Sequence, residues 1–155
     1  MSKQPCDVNA YPHRRKNLLT GEWVLVSPHR TARPWQGEIS APAADGRPAY
    51  DPECYLCPGN TRAGGEVNPR YERTYAFTND FSALLESVPL ITRRDRNLLI
   101  ARTEKGICRV LNFSPRHDYT LAHMTEAEIE NVITAWQEEY RTLASHPRIA
   151  YVQIF

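Results

Sequence analysis

Apolar positions recur most regularly after Thr125. Ile129, Val132, Ile133, Trp136, Tyr140 and Leu143 fall at i, i+3, i+4, i+7, i+11 and i+14, which is one face of an α-helix. Thr125 and Glu128 form a Thr-x-x-Glu capping box ahead of that face, so the helix begins there, and His146-Pro147 ends it. Shorter stretches have strand character. EWVLVSP (Glu22 to Pro28) is rich in Val and aromatic residues, and RTYAFTN (Arg73 to Asn79) alternates Tyr75 and Phe77 with smaller residues. NLLIAR and ICRVLNF read as two strands joined by TEKG, a hairpin loop ending at Gly106. IAYVQIF, running to Phe155, is a further strand pattern. Pro and Gly cluster between Pro34 and Pro69, a stretch that reads as loop and is long enough to suggest a functional one. The pattern predicts an α+β fold: a mostly antiparallel sheet with one long capped helix on a face and the Pro34–Pro69 loop wrapped over it.

Composition narrows the classes. A chain of 155 residues, 41% hydrophobic and 24% charged, has the make-up of one soluble globular domain. Residues 1–12 read as a flexible tail. A net charge of +1 leaves no surface-wide pull toward nucleic acid or membrane, so neither is expected as a partner. No apolar run reaches the length of a signal peptide or a membrane span, and a cytoplasmic location is the expectation. Four cysteines in such a compartment are metal ligands or free thiols before they are a disulfide framework.

Candidate chemistry starts in DPECYLCPGN. Cys54 and Cys57, two residues apart in a Pro/Gly-punctuated loop, can fill two positions of a tetrahedral zinc site. A thioredoxin-like redox pair would need a helix starting at the first cysteine, and Pro58-Gly59 follows instead. Two buried structural thiols are the remaining reading. Further ligands could come from Cys6, Cys108 or a histidine; His117, in the turn-rich NFSPRHD, is best placed, while His13, His29, His123 and His146 sit in basic or helix-end surroundings. Arg30 and Arg33 flank a turn beside Trp35, a combination suited to phosphate oxygens and a base, or simply a solvated loop. Asn79 and Asp80, in TNDF, could bind a hydroxyl or a pyrimidine edge, or make an Asx-turn. A zinc-ribbon nucleic-acid binder would want a second CxxC and a basic face, and the chain has neither.

Taken together, HRRKNLLTGEWVLVSPHRTARPWQGE, CYLCPGN, EVNP, FTNDF and FSPRHD, in this order and at these spacings, resemble galactose-1-phosphate uridylyltransferases from about His13 to Phe155. The resemblance implies a HIT-like fold and an enzyme that moves a uridylyl group between hexose 1-phosphates through a covalent uridylyl-histidine. UDP-glucose and galactose 1-phosphate are then the substrates, and a homodimer the working form. Cys54 and Cys57 match the family's zinc-ligand pair and His117 its third ligand. Arg30 and Arg33 match arginines that reach nucleotide phosphates across a dimer interface. Ala63, Asn79, Asp80 and Phe81 match positions lining the uridine pocket. In the family, the strand corresponding to IAYVQIF leads to a His-Pro-His segment that holds the fourth zinc ligand and the nucleophile. By that measure the domain is truncated at its C-terminus, no catalytic residue lies within it, and the nucleophile lies beyond Phe155. The expectation is a chain inactive alone, with a non-catalytic UDP-sugar-binding or dimerising module as the alternative.

Overall fold

The computed structural model describes residues 7–33, 46–96 and 98–155; Cys6, Trp35, Asn97 and the first part of the Pro34–Pro69 loop lie outside them. Six strands follow in chain order among the described residues: β1 (His13–Lys16), β2 (Trp23–Val26), β3 (Tyr75–Thr78), β4 (Thr92–Asp95), β5 (Leu99–Thr103) and β6 (Arg109–Asn112). One α-helix among the described residues, α1 (Glu126–Ala144), comes after them. The chain divides into two units, 1–33 with 81–108 and 34–80 with 109–155.

The first unit is a four-stranded antiparallel sheet in the order β2-β1-β5-β4. Gly21 closes the β1–β2 turn: its φ of +77° lies where a side chain is strained, and its N–H donates to the Asn17 carbonyl at 2.8 Å. His13 stands opposite Thr103 across the β1–β5 ladder. Both are buried, with Val8, Pro12 and Val88. Arg15 can only donate, so Nε2 of His13 accepts from Arg15 Nε at 3.0 Å, and its Nδ1–H donates to the Tyr11 carbonyl at 2.8 Å. Thr103 fastens the segment before β4, donating to Pro89 O at 2.7 Å and accepting from Ile91 N at 2.9 Å. Part of the expected tail is built into this unit, since Val8–Ala10 forms a 3-10 turn with Val8 buried. Residues 1–6 lie outside the described ones.

The second unit holds β3 and β6, paired antiparallel with Tyr75 opposite Asn112, and α1. The capping box forms as the sequence predicts: Thr125 accepts from Glu128 N and Glu128 accepts from Thr125 N. The helix meets β6 and the residue after it through an aromatic contact and an ion pair. Trp136 packs edge-on against Phe113 at 5.7 Å, and Arg109 forks onto both oxygens of Glu139 at 2.9 and 3.1 Å. Val132 is buried and Ile129, Trp136 and Leu143 half-buried, but Ile133 and Tyr140 of the same periodic set stay exposed. No helix among the described residues is long and apolar enough to cross a membrane.

The α+β reading, antiparallel strands with one long helix, is borne out. Three finer expectations are corrected. The strands form two sheets, not one. TEKG is not a hairpin loop: β5 pairs with β1 and β4 while β6 pairs with β3. The backbone explains why, because Glu104 N donates to Pro12 O and Gly106 N to Leu85 O, which draws the chain away from a return beside β5. IAYVQIF is not a strand, because an extended run becomes one only when a neighbour completes its ladder. Tyr151 and Phe155 there are strongly exposed.

Candidate functional site

The Cys54–Cys57 loop is wound by short-range hydrogen bonds. Cys54 N donates to Asp51 O, Cys57 N to Cys54 O and Asn60 N to Cys57 O, at 3.2, 3.3 and 3.2 Å. Gly59 permits the exit with φ +81°. Leu56 N points at Cys54 Sγ from 3.4 Å. His117 is fixed by its own N–H on Ala49 O at 2.9 Å, which brings Nδ1 to 3.7 Å from Cys57 Sγ. The ligand atoms of Cys54, Cys57 and His117 all lie within 4.8 Å of one another. A tetrahedral ion with bonds of about 2.0 Å to nitrogen and about 2.3 Å to sulfur would separate its donors by roughly 3.5–3.8 Å, so the group can hold a metal with little movement. Burial pushes the Cys57 thiol up from its ordinary value, and the neighbouring Cys54 adds to the rise. A cation would stabilise the thiolate that burial disfavours.

The carbonyls of Asp51 and of Cys54 through Cys57 are each taken by a donor. Asn60 Nδ2 donates to Asp51 O and Cys54 O, both at 2.8 Å, while Tyr50 O–H donates to Asn60 Oδ1. Asn68 Nδ2 donates to Tyr55 O at 2.8 Å and Cys57 O at 3.2 Å. Leu56 O accepts from Tyr71 O–H at 2.6 Å and Asn112 Nδ2 at 3.3 Å. Burial pushes the Tyr71 hydroxyl up, which keeps it a donor.

A polar cleft of about 430 Å³ lies in the same unit, lined by Arg62, Glu66, the strand from Tyr75 to Thr78, Asn79, Asp80 and Arg109. Arg62 is its buried cation. Its guanidinium lies 4.5 Å above the Phe77 ring. Its Nε shares a proton between both Asp80 oxygens at 3.2 Å, and Nη2 donates to Glu66. Nη1 reaches Tyr75 Oη at 3.3 Å and Asn68 Oδ1 at 3.4 Å. Burial works against the Arg62 charge, but Asp80 and then Glu66 more than offset it and raise its pKa. The loop past Arg62 presses on the same carboxylate. A Cβ on Gly64 would stand 2.8 Å from Asp80 Oδ1, so only glycine fits there without a shift. Arg109 donates through Nη1 to Thr78 Oγ1 at 3.0 Å at the end of β3.

The structure thus brings Cys54, Cys57 and His117 together, and Asn79 with Asp80 along one cleft. Ala63 is half-buried in the turn after Arg62 and does not line the cleft. Arg30, Arg33 and Phe81 belong to the first unit. There Arg30 and Arg33 are exposed on and just after the 3-10 turn Pro28–Ala32, which His29 Nε2 anchors to Ser82 O at 2.6 Å. Phe81 follows Asp80 and is half-buried. Sequence reasoning missed Arg62, Asn60, Asn68 and Arg109. The only signal was a basic residue followed four positions later by Glu66 in a glycine-rich loop, which resembles an ordinary solvated pair.

Known proteins agree with this architecture. Curated galactose-1-phosphate uridylyltransferases match at 49% identity in Haemophilus influenzae, over 94% of this chain and 41% of the relative. The Saccharomyces cerevisiae protein matches at 41% over 100% and 46%, and the Neurospora crassa protein at 50% over 87% and 38%. The chain therefore spans less than half the length of these relatives. A solved structure described as that of a uridylyltransferase superposes with a TM-score of 0.61 at 25% identity, covering 90% of this chain and 37% of that one. The model of the galactose-1-phosphate uridyl transferase N-terminal domain matches residues 1–155, and the chain belongs to that family.

Proposed function

We propose that this chain supplies the metal-bearing, nucleotide-binding part of a UDP-glucose–hexose-1-phosphate uridylyltransferase of galactose metabolism. The observation that carries the reading is the convergence of Cys54, Cys57 and His117 beside a cleft ending in Asn79 and Asp80, in a chain of this family. Two sulfurs and an imidazole nitrogen suit zinc, which would hold the loop structurally and take no part in bond making. The cleft would take the uridine part of UDP-glucose, with Asp80 and Asn79 as hydrogen-bonding groups. In the full reaction a histidine nitrogen bonds to the α-phosphorus as its bond to the bridging oxygen breaks, releasing glucose 1-phosphate. A phosphate oxygen of galactose 1-phosphate then displaces the histidine and forms UDP-galactose. Arg30 and Arg33 would serve phosphates across a homodimer in the cytoplasm.

On this reading none of the five histidines of this sequence serves as the attacking imidazole. His13 is buried with both ring nitrogens engaged, and His117 belongs to the metal group. His29 is bonded to Ser82 O, His123 stacks on Tyr119, and His146 accepts from Arg148 N. None of them lines the cleft. The 155-residue chain is therefore expected to bind UDP-glucose without transferring uridylyl groups. Incubation with UDP-glucose and galactose 1-phosphate, analysed for UDP-galactose, tests the second half, and calorimetric titration with UDP-glucose tests the first. Product formed by the purified chain, or no heat at millimolar ligand, would each overturn the corresponding half.

A further inference from the structure

We infer that Asn68 and Arg62 form a buried positioning relay that couples metal loading at Cys54, Cys57 and His117 to the orientation of Asp80 in the cleft. The inference rests on the preceding reading that the group holds a metal and the cleft a nucleotide. Its parts are one continuous path. Asn68 Nδ2 holds the carbonyls of Tyr55 and Cys57 at 2.8 and 3.2 Å. Its Oδ1 accepts from Arg62 Nη1 at 3.4 Å, and Arg62 Nε holds both oxygens of Asp80 at 3.2 Å. The amide orientation is dictated by its neighbours: turned over, it would set oxygen against two carbonyls and N–H against a guanidinium.

Burial makes this path a coupling device. Cys57, Asn68 and Arg62 are 3%, 2% and 6% exposed, so water is scarcely able to replace a lost partner. A metal that orders the Cys54–Cys57 loop keeps both Asn68 acceptors in place, and Asn68 in turn keeps one arm of Arg62. Without the metal the loop opens more readily, Arg62 loses that arm, and Asp80 samples orientations that do not meet the ligand. Coupling of this kind is reciprocal, so nucleotide must tighten the metal by the same factor.

The test compares UMP affinity of the zinc-loaded and the chelator-stripped chain by calorimetry, and zinc affinity with and without UMP by competition with a chromophoric chelator. Both ligands should bind, and each should tighten the other by at least about fivefold. In Asn68→Ala that factor should fall toward one. Asn60→Ala, which loosens the same loop at Asp51 and Cys54 without touching Arg62, should weaken zinc and leave the factor intact. General loss of stability would weaken both ligands without abolishing the factor, which separates a relay from a merely structural role. Equal UMP affinity in the loaded and stripped wild-type chain, both ligands binding, overturns the relay and leaves the functional reading standing. A factor unchanged in Asn68→Ala does the same, as does a stripped chain that unfolds by circular dichroism, because the coupling then belongs to the whole fold. If Asn68→Ala fails to fold, Asn68→Asp, which keeps an oxygen for Arg62 but loses the donors to the loop, takes its place. Failure of zinc or UMP to bind at all overturns the functional reading and the relay with it.

Discussion

Replacing Asp80 by alanine isolates the energetic weight of the buried guanidinium. The Arg62 side chain is 5% exposed and that of Asp80 15%, so the pair is screened little by solvent. Its other anion, Glu66, accepts directly from Nη2, but its side chain is 76% exposed, so solvent screens that contact. Asp80→Ala therefore leaves a buried cation without a buried counter-charge, a change that costs about 3–5 kcal/mol in such settings. Arg62→Met removes the cation instead. It leaves a carboxylate that lines the cleft and can turn toward water, so its cost should be smaller, about 1–3 kcal/mol including the contact over Phe77. The double variant should cost clearly less than the sum, with a coupling of at least about 1 kcal/mol. Urea unfolding followed through the helix signal at saturating zinc is the assay, because α1 lies in the same unit as the pair. Added salt should leave the coupling nearly unchanged, as expected of a pair out of solvent. An Asp80→Ala cost below about 1 kcal/mol, additive with Arg62→Met, would refute the assignment of a buried, mutually dependent pair.

Gly64→Ala pushes a methyl to within 2.8 Å of Asp80 Oδ1, so it should destabilise by about 1–3 kcal/mol and weaken UMP binding, read by thermal unfolding and calorimetry. Thr125→Ala removes the cap of α1 and should cost about 1 kcal/mol in urea unfolding. Hydrogen bonds from Thr125 hold the Glu128 carboxyl below its ordinary value, so its contribution is complete above the usual glutamate range and fades as pH falls through the lowered value. Glu128→Gln should flatten that acid limb in a pH titration of helix content. Zinc must displace thiol protons, and burial pushes Cys57 up, so zinc affinity should fall by about tenfold per pH unit for each protonated thiol as pH drops, measured by chelator competition.

What was legible in the sequence was what its physics keeps local. The cap of α1 needs two residues three apart and formed as read; the CxxC pair needs two residues in one loop, and its thiols stand in a group that could hold a metal. His117, the third member of the possible metal group, lies 60 residues from Cys57, and no spacing rule reaches it; its turn-rich setting made it a candidate, and the likeness to a family singled it out. TEKG failed as a hairpin because the donors of Glu104 and Gly106 are satisfied by Pro12 and Leu85, partners that no local window contains. Strand β1, written HRRK, carries three cations and gives no apolar signal, yet it takes a central place because His13 is buried with both nitrogens matched. Arg62 is the sharpest case. A basic residue in TRAGGEVNP reads as solvated, and desolvating it alone would be prohibitive. It is buried because Glu66, Asn68, Tyr75 and Asp80, which follow it in the chain by as much as 18 positions, converge on one guanidinium. Each of those partners is polar for a reason that exists only once the fold has formed. The polar residues of a glycine-rich loop therefore carry positional information that a hydrophobic pattern cannot express, and here they lead from the metal group to the cleft.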